Sequence, residues 1–265
     1  MQNGTAASPL FQKQKRIKRL MSLALLAAAL VFSIWYIKFD FTEFINGIPL
    51  FFNFIFSDFL PPKMTHMDSY FKPVLDTLIF SVVSTFMASA FGLAVAFLMA
   101  RNTSPHPAVR IVFRGIISFV RNVPFLVWAS LLVVIFGVGT MPGLFALVLF
   151  GACFLARVYA ESIEELDKET TEALSASGAT YLQIIKHAII PQFMPGYYSW
   201  TLFMFEINIR SSAILGLVGA GGIGSNLKQA MDLFQYGRAS MIIVILIVLI
   251  LAVEFTTQKV RERIL

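Results

Sequence analysis

The chain alternates long uncharged runs with short polar breaks, on the length scale of helices that cross a bilayer. Leu20–Ile37 runs for 18 residues without a charge and Thr77–Ala100 for 24. About 20 apolar residues carry a helix through membrane hydrocarbon. Asn122–Ala156 has 35 uncharged residues, too many for one helix. Gly137, Gly139, Pro142 and Gly143 cluster where it would turn, so it reads as two spans and a tight loop. Ala188–Phe205 contains Pro191 and Pro195. Its helix is expected to start near Pro195, because proline is tolerated in a first turn. Ala239–Val253 is the last run. The pattern predicts an all-α polytopic membrane protein with about six transmembrane helices, at about 20–38, 73–100, 111–137, 142–160, 195–217 and 239–258. Phe44–Leu60 is also apolar, but Pro49, Asn53 and Asp58 break it and Pro61-Pro62 close it. The segment 39–72 is therefore expected to lie along the outer membrane surface.

Charge orients this scheme. With both termini in the cytoplasm, 14 of the 21 Lys and Arg residues fall on inside segments and five outside, as the positive-inside rule expects. Residues 1–19 are then a basic cytoplasmic head and 259–265 a cytoplasmic tail. The first run is longer than a usual signal-peptide core and no small-residue cleavage site follows it, so an uncleaved anchor is expected. Hydrophobic residues make up 57% of the chain and charged residues 14%, which argues against an ordinary soluble enzyme. The net charge of +6 fits membrane orientation rather than nucleic-acid binding. One cysteine, Cys153, forms no internal disulfide, and no Cys/His cluster has metal-ligand spacing.

The longest polar stretch, Arg157–Gln192, is ordered in its pattern. Glu172–Ser177 suit a helix ending at Gly178, a natural C′ residue. Thr180 and Gln183 then have capping-box spacing. Tyr181, Ile184, Ile185, Ala188 and Ile189 follow along one helical face, and Pro191 is expected to stop that second, short helix. Small residues around the turn, Ala179 among them, let a partner's backbone approach, the shape of a docking knob.

At these residues the chain resembles a known family. EALSASGATYLQIIKHAIIP is similar to the EAA loop of ATP-binding-cassette importer permeases, whose pattern runs E-A-A, three residues, G, nine residues, I, one residue, L-P. Glu172, Ala173, Gly178 and Pro191 match, with Ile190 in the leucine place; Leu174 and Ala188 depart from it. RNVPFLVWA, from Arg121, and FEINIRSSAILGLVGAGGIG, from Phe205, look like the phosphonate and phosphite permeases, as does Phe59-Leu60-Pro61-Pro62. The resemblance implies a type I importer permease fold over 73–258, with a coupling loop at 160–192, in a bacterial cytoplasmic (inner) membrane. It also implies a homodimeric pore, two cytoplasmic ATPase subunits and an external solute-binding protein. On this reading Glu172, Ala173, Gly178, Ala179, Tyr181 and Pro191 couple to the ATPase.

Charges within the spans are costly and usually face a cavity or a partner. Arg210 and Glu206, four residues apart, read either as a structural ion pair or as a pathway arginine held by its carboxylate. An arginine fork suits a tetrahedral oxyanion. Asn208 lies on another face and is expected to join two helices. Arg121 and Asn122 precede Pro124, which is expected to kink or restart the helix; Arg121 is either a membrane-edge anchor or part of the pore. Asp76 is expected at the interface.

Gly219–Gly224 satisfies G-x-G-x-x-G, but it follows an apolar helix and no strand, so a dinucleotide site is rejected. It reads as a bend packing closely across the dimer. Backbone N–H groups at Gly221 and Gly222 are candidates to meet an anion. No Walker A sequence occurs, so the chain is expected to be a pore without cofactor, with ATP–Mg bound by a partner. Two rivals stand beside this. A membrane hydrolase lacks a carboxylate or histidine cluster, since His66, His106 and His187 are scattered. A permease of the same superfamily for an amino acid or an organic cation would share the coupling loop.

Overall fold

The computed structural model describes residues 9–64, 67–219 and 221–264. The first eight residues of the basic head, His66, Ala220 and Leu265 lie outside the described residues. All the regular structure described is helical. The chain divides into two compact units, residues 1–56 and 57–265.

The first unit holds α1 (Pro9–Ile37) and α2 (Phe41–Phe54). The Asp40 side chain accepts the backbone N–H of Thr42 at 2.8 Å and of Glu43 at 3.2 Å, capping α2. The donors on Glu43 and Thr42 hold its carboxyl below the usual carboxylate range. No described side chain of α2 is buried within the protein, and a π turn, Ile55–Phe59, follows it.

The second unit is built on α3 (Asp68–Met99) and α6 (Thr140–Glu164). A constant offset of 63 residues joins Ala88 to Gly151, Gly92 to Leu155 and Arg101 to Glu164, so the two helices run parallel. Small residues set their closeness: a Cβ on Gly92 would lie 2.9 Å from the Leu155 Cβ, and one on Gly151 2.9 Å from the Ala88 Cβ. Buried hydroxyls on α3 are satisfied by its own carbonyls, as Ser81 is by Thr77 and Thr85 by Ser81. The same hydroxyls then serve α9 (Ile190–Leu217). Asn208 donates to Thr85 at 2.8 Å and to Ser84 at 3.2 Å, while Tyr197 and Ser89 share a 2.6 Å bond. Asn208 thus joins two helices, as its position on the α9 face suggested.

Two expectations need correction. The span expected at 111–137 is two helices, α4 (Pro107–Asn122) and α5 (Phe125–Phe136), bent by 87°. Pro124 lacks a donor and biases Val123 towards extended backbone, which ends α4. The helix expected to begin near Pro195 begins far earlier. Helical structure runs on from α8 (Tyr181–Ile184) through a π turn, Ile185–Ile189, into α9, so Pro191 stops nothing. Four described helices are long and apolar enough to cross a membrane on composition alone, or five with the bent pair. The sixth expected span, α9, is as long but carries Gln192, Glu206, Asn208 and Arg210 along its length.

Two short helices and a long one complete the unit: α7 (Lys168–Ala176), α10 (Ile223–Asp232) and α11 (Tyr236–Ile264).

Candidate functional site

The coupling segment is a defined structure. Asp167 caps α7 by accepting the Glu169 N–H at 3.0 Å. The helix ends in a Schellman turn: the Gly178 N–H donates to Ser175 O at 3.0 Å and the Ala179 N–H to Leu174 O at 3.1 Å. That turn requires the left-handed backbone at Gly178, where φ is +82°. Gln183 then reaches back to the Thr180 N–H at 2.7 Å and opens α8. Glu172, Ala173, Gly178 and Tyr181 are exposed; Ala188 and Ile189 are buried. α7 and the start of the following helix enclose a cleft of about 290 Å³, lined by Glu172, Ser175, Tyr181 and Ile185 among others.

Two attachments tie this segment to the bundle, and sequence reasoning found neither. The Tyr181 hydroxyl donates to the Thr103 carbonyl, in the α3–α4 connection. At the end of α6, Glu164 Oε1 accepts the Arg101 N–H and an Arg114 N–H, both at 2.6 Å. Pairs 50 and more residues apart leave no local signal in a sequence. Replacing Glu164 with alanine removes one charge-assisted pair and one backbone bond. It is expected to lower stability by about 1–2 kcal/mol, read as an earlier unfolding transition in detergent.

The intramembrane charges form a second group. Glu206 is 8% exposed, and its carboxylate is held by α11: Thr257 donates to Oε1 at 2.6 Å and Arg261 at 3.0 Å. Arg210 stands further off, 3.8 Å from Glu206 and 4.0 Å from Glu254. The partner of Glu206 is therefore chiefly Arg261 rather than Arg210, and Arg261 does not belong to a free tail. The spacing of Glu254, Thr257 and Arg261, which places them on one helical face after the last apolar run, was the available signal. Arg121 and Asn122 occupy the last turn of α4. The Arg121 guanidinium lies 5.8 Å from the centre of the Phe154 ring, which packs on Trp200 and Phe203. Asp76 is exposed.

The glycine segment is a tight turn within one chain. Gly219, Gly221 and Gly222 all have positive φ. A Cβ on Gly221 would meet the Thr140 side chain at 2.8 Å, and one on Gly222 the Thr77 hydroxyl at 2.9 Å. Within the chain, Gly216 and Gly224 bring the backbones of α9 and α10 together. The cavity beside Gly221 and Gly222 is about 10 Å³, about the size of a single water. Among the described residues no group of three His, Cys, Asp or Glu is placed to hold a metal ion.

Comparison with known proteins places this architecture. Residues 91–264 match the family described as binding-protein-dependent transport system inner membrane component. The phosphite transport system permease protein PtxC of Stutzerimonas stutzeri is 34% identical over 246 residues, covering 92% of this chain and 89% of that protein. The phosphate-import permease protein PhnE of Mycolicibacterium smegmatis is 35% identical over 88% of this chain, which spans 44% of it. A chain in a crystal structure of inward-facing conformations of the MetNI methionine ABC transporter has the same fold. Its TM-score is 0.67 at 23% identity, over 77% of this chain and 99% of that one. The chain belongs to the inner membrane components of binding-protein-dependent transport systems, the permease subunits of ABC importers.

Proposed function

We propose that two copies of this chain form the pathway of an importer for a small phosphorus oxyanion. The observation that carries the cargo is the 34% identity to a phosphite permease over nearly the whole chain. The half-exposed Arg210 fork supplies chemistry that fits such an anion. In this reading both termini are cytoplasmic, and two ATPase subunits bind ATP–Mg and dock on the exposed face around Glu172, Ala173 and Gly178. Their closure moves α7 and α8. The motion passes directly into α9, which continues the α8 helix, and through Tyr181 into the α3–α4 connection. An external binding protein delivers the solute, and the pathway holds it loosely enough to release it inward. The chain itself takes no cofactor.

Vesicles carrying the permease are expected to take up radiolabelled phosphite only with the ATPase, ATP and the loaded binding protein. Uptake that persists without the ATPase overturns the mechanism. Uptake of methionine but not phosphite overturns the cargo.

A further inference from the structure

We infer that Arg261 is a positioning residue for anion passage: by holding Glu206 it leaves the donors of the Arg210 guanidinium free to face the pathway. The inference rests on the proposed oxyanion cargo for its purpose, though not for its geometry. Arg210 and Glu206 are four residues apart on α9, a spacing at which a glutamate and an arginine ordinarily pair. Paired so, Arg210 would present its cargo with a charge already cancelled. The structure draws the carboxylate towards α11 instead, with only Oε2 facing Arg210 at 3.8 Å. Glu206 Oε1 takes two donors, Thr257 and Arg261, at 2.6 and 3.0 Å. Arg210 is left with two loose carboxylate neighbours at 3.8 and 4.0 Å, both beyond hydrogen-bond reach. Burial matches this division of roles. The Glu206 side chain is 9% exposed and that of Arg261 29%, against 48% for Arg210.

The arrangement also explains why a carboxylate stands in the span at all. A lone arginine there would hold an oxyanion too tightly to release it, and an arginine bonded to Glu206 would scarcely attract one. Two carboxylates held at about 4 Å temper the charge of Arg210 without occupying its donors. Because α9 continues the coupling helix, a shift of α9 against α11 moves Glu206 relative to Arg261. It thereby changes how much of the Arg210 charge is available.

The test reads Arg210 directly. The assembled transporter is treated with phenylglyoxal, and the adduct on the Arg210 peptide is quantified by mass spectrometry. Arg210 is expected to react in the natural protein. In Arg261→Gln, Glu206 turns to Arg210 and labelling falls about tenfold, the size of one gained charge-assisted bond. Arg261→Gln/Glu206→Gln restores it, and Arg261→Lys, which keeps a charge but loses the fork, falls between. A purely structural role for Arg261 predicts labelling unchanged or raised, and either result overturns the inference. Where Arg261→Gln does not assemble, Arg261→Lys decides: labelling at or above that of the natural protein overturns it. A separate arm adds phosphite. Protection of Arg210 by phosphite supports the cargo; its absence counts against the cargo while leaving the role of Arg261 to the labelling series.

Discussion

Gly178→Glu is expected to abolish ATP-driven uptake while leaving the permease folded and inserted. Gly178 adopts φ +82° and has no other part of its own chain within 4 Å of a would-be Cβ. Within the permease the new side chain therefore meets only solvent. The backbone strain of a non-glycine residue there is about 1–2 kcal/mol, confined to the end of α7. The partner sees something larger. A carboxylate placed in the centre of a docking face is buried without a counter-charge, at a cost of about 3–5 kcal/mol. That amounts to a loss of roughly two orders of magnitude or more in association. Gly178→Ala carries the same strain without the charge and separates the two effects. The expected result is normal insertion for both variants, near-normal uptake for the alanine, and loss of ATPase copurification and of uptake for the glutamate. Retained ATPase binding in Gly178→Glu removes the docking face from the mechanism.

The sequence made the coupling segment legible because its signals are local. A glycine at C′ and a Thr–Gln box each fix one turn of backbone, and the structure forms both within 172–183. The uncharged runs likewise marked the apolar helices. A local rule fails where it meets a register effect. Pro191 reads as a stop, since proline has no N–H and its ring strikes the carbonyl four residues back. The π turn inserts one residue just before it, with the Ile190 N–H reaching Ile185 O, and the helix passes through. Glu206 does stand beside its helical neighbour Arg210, at 3.8 Å. Its tighter partner lies 55 residues away on another helix, a pairing that no periodicity in a single chain encodes. The same holds for Asn208 and Thr85, 123 residues apart. What periodicity could give was only the face on which Asn208 stands.

The seam between α9 and α10 should be the least tolerant place in the second unit. Gly216 and Gly224 bring the two backbones into contact: a Cβ on Gly224 would lie 1.9 Å from the Ala213 carbonyl oxygen, and one on Gly216 2.4 Å from the Gly224 backbone. In each case the obstructing atoms are backbone, so no side-chain rotation relieves the clash. α10 cannot simply move away. Its first residue, Ile223, is fully buried and donates its N–H to Thr77 Oγ1 at 3.0 Å, and Ala230 is buried at the other end. Gly224→Ala must therefore either break the Thr77 bond or lift α10 from its packing with α3, α9 and α11. Overpacking of this kind costs about 3 kcal/mol, a large part of a domain's net stability of about 5–15 kcal/mol. Gly196→Ala, on the same α9 but with nothing within 4 Å, serves as the control. It is expected to be neutral, or to stabilise by up to about 1 kcal/mol through helix propensity. Thermal unfolding in detergent should show Gly224→Ala well below the natural protein and Gly196→Ala at or above it. Equal transitions for the two alanines would mean that α9 and α10 do not meet as closely as their glycines require.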